Sequence, residues 1–478
     1  MTDDDRPPSE QPTGDDRRVS GDGVSSDDRR VSGDGVSSDD RRVSGDRASA
    51  NEVGGNEERL DGADPETVRA ALADGDPLPG TAGFAGLLDG VLVRDVLGRR
   101  PVYVDQSEPS RWAFDPTAVA EPALLPAGHR LPLGADPETA ERVWSLPAPE
   151  AADPSAALET VERAVREQVL SGVAPTSEAL SDTELASEAL SDAELASEAL
   201  SGTEPTAEPA TPTPPSDATA ESVAVAFSGG VDSAVVAAGL PDAPLYVAGF
   251  EGCHDVAAAR DAAAAMGRAA DLTVVEITHA DLRRVVPLVV DATGRSNPMD
   301  VSIAVPLFCV AERAAADGYD HLAVGQGADE LFGGYAKLVD PDDDDRVAAD
   351  TVRGARREVV LSLPDQLPRD VATLRAAGVE PVTPLLHDDV VAAALRLPGS
   401  LLATETERKI ALRRAADGLV PDTVRTADKK AVQYGTYVSR ELDRLARRAG
   451  FKRRMDDHVG RYVTALAAGD DDPSPEDW

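Results

Sequence analysis

Residues Val223–Leu240 read VAVAFSGGVDSAVVAAGL. An apolar run enters a Ser-Gly-Gly turn, an aspartate follows two positions past the second glycine, and an alanine-rich apolar segment comes next. The run is a strand buried on both faces and the alanine-rich part is a helix. Gly229 and Gly230 allow close backbone approach to a ligand. The amides at the helix N-terminus and the hydroxyls of Ser228 and Ser233 are donors for an anion. Asp232 would repel that anion unless a divalent cation lay between them, and phosphates plus Mg²⁺ reconcile the two. The alternative is a tight strand–helix turn with a capping serine. A Walker loop is excluded, because GxxxxGK[ST] is absent.

Outward from this stretch, strands and helices alternate. SVAVAF leads to a helix, LYVAGF to a helix over 255–270, and LTVVEI to a helix over 281–291. A helix over 301–317 then leads to the strand HLAV and a second glycine loop, GQGADELFGGY (Gly325–Tyr335). This alternation predicts an α/β fold, a parallel sheet with helices on both faces, with ligands at the carboxyl ends of the strands. Asp329 and Glu330 then sit at the same edge as Asp232, and Asp329 is placed to supply a second carboxylate to metal ions on a triphosphate. Solvated acids in an Asx-type turn are the alternative.

The chain has 478 residues, 47 Lys plus Arg and 87 Asp plus Glu, a formal charge of −40. Such a field repels phosphate backbones and argues against nucleic-acid partners. Only five basic residues are lysines. An Asp- and Glu-rich surface with arginine in place of lysine suggests a halophilic cytosol, where the Debye length falls to about 3 Å at 1 M salt. Two cysteines, Cys253 and Cys309, give no disulfide framework and no metal motif. The first residues lack a signal pattern, and no 18-residue apolar window occurs, so a cytoplasmic protein without a membrane span is expected.

Two stretches are tandem repeats. DDRRVSGDGVSS starts at Asp15, recurs at Asp27 and begins again at Asp39; SEALSD starts at Ser177 and Ser187, with SEALSG at Ser197. Neither carries enough apolar surface to offset ordering entropy of about 1–2 kcal/mol per residue. The expected organisation is therefore disordered acidic repeats over 1–57, a small β-rich α+β domain over 58–149 and an amphipathic helix within 150–174. A disordered linker over 175–221, a nucleotide-binding domain over 222–450 and a C-terminal helix with an acidic tail over 451–478 complete it. In the helix, Leu158, Val161, Val165 and Val169 share one face.

SGGVDS after the first strand resembles the pyrophosphate loop of the ATP-pyrophosphatase (adenine nucleotide alpha-hydrolase-like) superfamily. GQGADELFGGY resembles the second signature of one branch, the asparagine synthetases and their β-lactam synthetase relatives. The similarity spans about 222–445 and includes AGFEGCHDVAAARDAAAAMG from Ala248 and the run from Arg295 into the second loop. GVEPVTPLL (Gly378–Leu386) resembles the family's GVExRxPFLD element, with Val382 in place of the arginine and His387 in place of the aspartate.

The resemblance implies an ATP-dependent carbon–nitrogen ligase. A carboxylate, aspartate in asparagine synthetases, attacks the α-phosphate to give an acyl-adenylate and pyrophosphate, and ammonia then displaces AMP. Carried over by position, Ser228, Gly229, Gly230, Asp232 and Ser233 hold the pyrophosphate, and Asp232 and Asp329 bind Mg²⁺. Phe250, Gly325 and Gly327 join the nucleotide site. The family's late lysine, which stabilises charge on the α-phosphoryl group, corresponds to Lys429 in VRTADKKAVQYGT, with Lys430 beside it. Gln326 stands where asparagine synthetases usually carry glutamate, so another acceptor carboxylate or a β-lactam-type closure is the close alternative. A nucleotide-binding regulatory protein without catalysis is the more distant one. LVRDVLGRRPVYVD (Leu92–Asp105) and WAFDPTAVAEPALLPAGHRL (Trp112–Leu131) resemble parts of the family's N-terminal glutamine amidotransferase. The chain opens Met-Thr, and AGFAG from Ala82 has alanine where a nucleophilic cysteine would be wanted. A truncated remnant is expected, with free ammonia or a separate ammonia supplier as donor and a homodimer as a further expectation.

Overall fold

The computed structural model describes residues 53–171, 223–335, 351–427 and 435–469, all within one unit, Ala48–Trp478. The repeats within 1–52 and 175–221 and the tail over 470–478 lie outside the described residues.

The first region is β-rich. Strands β1 (Arg59–Asp61), β2 (Ala85–Leu88), β3 (Val91–Arg94), β7 (His129–Pro132) and β8 (Glu141–Arg142) form one antiparallel sheet in that order. β4 (Tyr103–Asp105) sits between β5 (Trp112–Ala113) and β6 (Pro122–Leu124) in a second. Helix α1 (Pro65–Asp74) starts where Asp64 accepts from the amides of Glu66 and Thr67, both at 3.0 Å. Helix α2 (Pro154–Ser171) buries Ala157, Val161, Val165 and Val169 and half-buries Leu158, the face that the 3–4 spacing marks out.

The second region is built on five parallel strands, β9 (Val223–Ala226), β10 (Leu245–Gly249), β11 (Leu272–Glu276), β12 (His321–Ala323) and β13 (Glu380–Val382). Their order is β11-β10-β9-β12-β13. Helices α3 (Val231–Gly239), α4 (His254–Ala265), α5 (His279–Thr293) and α6 (Pro298–Ala316) make the connections from β9 to β12. Alternate strand residues enter two separate cores. Val225, Phe227, Leu245, Val247 and Ala323 join one, and Ala224, Tyr246, Ala248, Leu322 and Val324 join the other. Both faces of β9, β10 and β12 are covered, and β9 and β10 accordingly read as unbroken apolar runs.

The chain moves from β9 to β10 and β11 on one side, then returns to place β12 on the other. That reversal makes the β9/β12 boundary a topological switch point, where the loops leaving neighbouring strands part and leave a crevice. The two glycine loops follow these two strands. After β12 come α7 (Ala328–Phe332), α8 (Val352–Leu361), α9 (Leu363–Ala376), α10 (Asp388–Leu395) and α11 (Ile410–Ala415). Pro381 is tolerated in β13 because that strand lies at the sheet edge.

Buried and half-buried ion pairs join the two regions. Arg99 on the β3–β4 connection pairs with Asp95 at 2.9 Å and with Asp388 at 2.8 Å, and Asp388 also accepts from the Thr81 amide at 2.8 Å. Asp61 pairs with Arg375 at 2.6 Å. Burial alone would raise the Asp61 pKa, but Arg100 and Arg375 outweigh it and bring it down to about 2. The folded value lies below the unfolded one, so the stabilisation is fully present above about pH 4 and is lost as pH falls through about 2. Asp61→Asn is expected to cost about 2 kcal/mol at pH 7. In urea unfolding, the gap between variant and parent should close over that acid range.

Candidate active site

The loop after β9 turns at Gly229, whose φ is +78°. A Cβ there would stand 2.5 Å from the Ala258 carbonyl oxygen and 2.7 Å from the Ala259 nitrogen, so glycine is required for conformation and for space. The Ser233 hydroxyl accepts from the Ser228 amide at 3.2 Å, lies 3.2 Å from the Ser228 hydroxyl and donates to the Gly230 carbonyl at 3.2 Å. Both serines thus tie the loop to the first turn of α3. Gly230 is the N-cap of that helix and makes no side-chain cap bond, so the first amides of α3 have no capping oxygen from it.

The loop after β12 presses onto this turn. A Cβ at Gly325 would lie 2.8 Å from the Asp232 carbonyl carbon and 2.9 Å from the Ser233 nitrogen. Gly327 and Gly333 bracket α7 with φ of +86° and +81°. The adjacent acids of the Asp-Glu pair face different surroundings. Asp329 is half exposed, whereas Glu330 is buried and accepts from the Tyr335 hydroxyl at 2.6 Å. Burial, reinforced by the Asp329 charge, pushes the Glu330 pKa up to about 7.

One side chain joins the two loops. The Lys409 ammonium lies 2.5 Å from Asp232 Oδ2 and 2.7 Å from Asp329 Oδ1, with only 12% of its side chain exposed. Burial works against its charge, yet the two carboxylates more than compensate and raise its pKa. Lys409 precedes α11 with φ 57° and ψ 37°, a left-handed conformation unusual outside glycine.

Gln326 donates through Nε2 to Asp370 Oδ2, and the Arg369 guanidinium grips the same carboxylate at 2.7 and 2.9 Å. Arg369 reaches on to Asp300 at 2.6 Å. At the end of β10, the Phe250 ring packs 5.8 Å from the His279 ring, and its amide donates to the Thr436 carbonyl at 3.3 Å. Lys429 and Lys430 lie outside the described residues. Cys253 and Cys309 are buried, and burial raises both thiol pKa values, that of Cys309 to about 12. Neither is a thiolate at neutral pH, so both behave as small hydrophobes.

The structure therefore brings together Ser228, Gly229, Gly230, Asp232, Ser233, Gly325, Gly327 and Asp329. Lys409 is the residue that sequence reasoning missed. It lies 177 positions from Asp232 with no glycine frame around it, and its one available signal is that the chain has five lysines in all. Among the described residues no group of three or more His, Cys, Asp or Glu converges. Two carboxylates already gathered around one cation suit Mg²⁺, which commonly takes one or two protein carboxylates and completes its shell with water and substrate phosphates. No described helix is long and apolar enough to cross a membrane.

The sequence pattern of the family described as asparagine synthase matches residues 218–363 and 348–468, more than half of the chain. A protein of Methanocaldococcus jannaschii named "Putative asparagine synthetase (glutamine-hydrolyzing) 1" is 28% identical over 273 residues. That alignment covers 50% of each sequence, so the chain spans about half the length of the curated relative it matches.

Proposed function

This chain belongs to the asparagine synthase family, and on that premise we propose that it is an amide-forming ligase that adenylates a carboxylate with ATP and passes the acyl group to ammonia. The observation that carries this reading is the pair Asp232 and Asp329, drawn to one cation from loops that leave adjacent parallel strands.

In this reading a carboxylate oxygen, the aspartate side chain foremost, attacks the α-phosphorus and the bond to pyrophosphate breaks. Ammonia then attacks the acyl carbon, a proton is lost, and AMP leaves. Gly229, Gly230 and the N-terminus of α3 bind the departing pyrophosphate, with Ser228 and Ser233 fixing the loop. Phe250, Gly325 and Gly327 border the nucleotide. Asp232 and Asp329 would hold Mg²⁺, which would supply charge neutralisation on the phosphate oxygens. Lys429, or Lys430 beside it, is assigned to the α-phosphoryl group, where fixed positive charge lowers the barrier.

The β-rich first region is read as an amidotransferase remnant without glutaminase activity. Its AGFAG segment runs into β2, where Ala85 is fully buried and no thiol is available. A second reading keeps adenylation and changes the acceptor. The hydrogen bond from Gln326 to Asp370 favours it, because a carboxamide tied to a buried ion pair cannot take up a proton as a glutamate can.

Pyrophosphate release from Mg-ATP, measured in multimolar KCl, tests these assignments. Release is expected to require aspartate, and ammonium is expected to yield the amide while glutamine does not. Equal turnover with glutamine would overturn the remnant reading. ATP binding with no release for aspartate would turn the assignment to the second reading.

A further inference from the structure

Asp232 and Asp329 are like charges held at neighbouring strand ends, and without a cation between them they would repel. Lys409 supplies that cation at 2.5 and 2.7 Å. Its position is built rather than incidental. The Lys409 backbone is left-handed. A Cβ on Gly334 would overlap the Asp329 carboxylate and stand 2.6 Å from Lys409 Cε, so a glycine there lets these two side chains meet over the loop. The neighbouring Arg408 donates to the Gly334 carbonyl at 3.0 Å, which clamps the lysine segment onto the second glycine loop.

Residue type adds to the geometry. In a chain with five lysines among 47 basic residues, this position uses a lysine. A compact ammonium on a flexible stem can change partners, whereas a guanidinium fork fixes a bidentate carboxylate pair.

We propose that Lys409 is a resident counter-cation. In the nucleotide-free protein it holds the two carboxylates in place, and it leaves at least one of them for the phosphate oxygens when the metal–nucleotide complex arrives. It is a positioning residue that bars free divalent metal from the carboxylate pair and makes metal entry depend on nucleotide. The inference rests on the ligase reading for the identity of the incoming complex.

The test uses Mn²⁺ as probe, titrated by electron paramagnetic resonance into the full nucleotide-free chain. Lys409→Met is expected to bind Mn²⁺ at least about tenfold more tightly than the parent. The gain should vanish in the Lys409→Met, Asp329→Asn double variant, and Mg-ATP should bind Lys409→Met more weakly than the parent. Unchanged Mn²⁺ affinity in folded Lys409→Met, with the parent still binding Mg-ATP, would overturn the counter-cation. A parent that fails to bind Mg-ATP would instead overturn the ligase reading.

If Lys409→Met does not fold, ¹³C labelling of the lysine ε-carbons in the parent decides the matter, with Lys409→Arg assigning the signal by its loss. That signal should move on saturation with Mg-ATP and stay in place with Mg²⁺ alone. A signal unmoved by bound Mg-ATP would overturn the proposal.

Discussion

Asp232→Asn and Asp329→Asn are each expected to lower kcat/KM for pyrophosphate release by about a thousandfold or more, equivalent to about 4 kcal/mol of transition-state stabilisation. The substitutions keep shape and remove charge. In the proposed reading each takes away one of the two carboxylates assigned to a divalent ion, and the remaining carboxylate still faces Lys409. Asp329 is half exposed, so its loss leaves packing intact, and thermal unfolding should separate the effect on catalysis from any effect on folding. Asp232 lies beneath Gly325, and its variant should show the larger shift in Tm. A variant with kcat/KM within tenfold of the parent would remove that carboxylate from the metal site.

Gly229→Ala carries the largest expected loss of stability, about 3 kcal/mol. Two costs add. A left-handed backbone costs an alanine about 1 kcal/mol or more. The new methyl would also meet the Ala258 carbonyl and the Ala259 amide, which belong to the α4 backbone and cannot rotate aside. The control is Gly252→Ala, at φ +68° with open space around it, which isolates the first cost. Denaturant unfolding of the pair should differ by about 2 kcal/mol. Nucleotide affinity should fall at Gly229 and hold at Gly252. Equal destabilisation of the two would mean that α4 yields to the methyl.

The parts of this structure that were legible in the sequence are those where local chemistry and burial agree. β9 and β10 end within a residue or two of their apolar runs, because a strand covered on both faces has no polar positions to blur its limits. Helix α2 showed its buried face by periodicity. Asp232 and Asp329 stood out because glycines frame them. Strands of two to four residues in the first region have too few positions for an alternation to show. β13 escaped notice because its central residue is a proline. Lys409 escaped for a different reason. Its meaning exists only once strands far apart in the chain are laid side by side, and no spacing rule spans 177 residues. The partner of Gln326, Asp370 on α9, was hidden in the same way.

Adenylation of a carboxylate is tested most directly by isotope transfer. Aspartate labelled with ¹⁸O in its side-chain carboxyl would be turned over with Mg-ATP and ammonium, and the AMP product examined by mass spectrometry. Attack of the carboxylate on the α-phosphorus carries one labelled oxygen into AMP, and that is the expected result. Amide formation with unlabelled AMP would contradict the account, because the acyl group would then have been activated by another route.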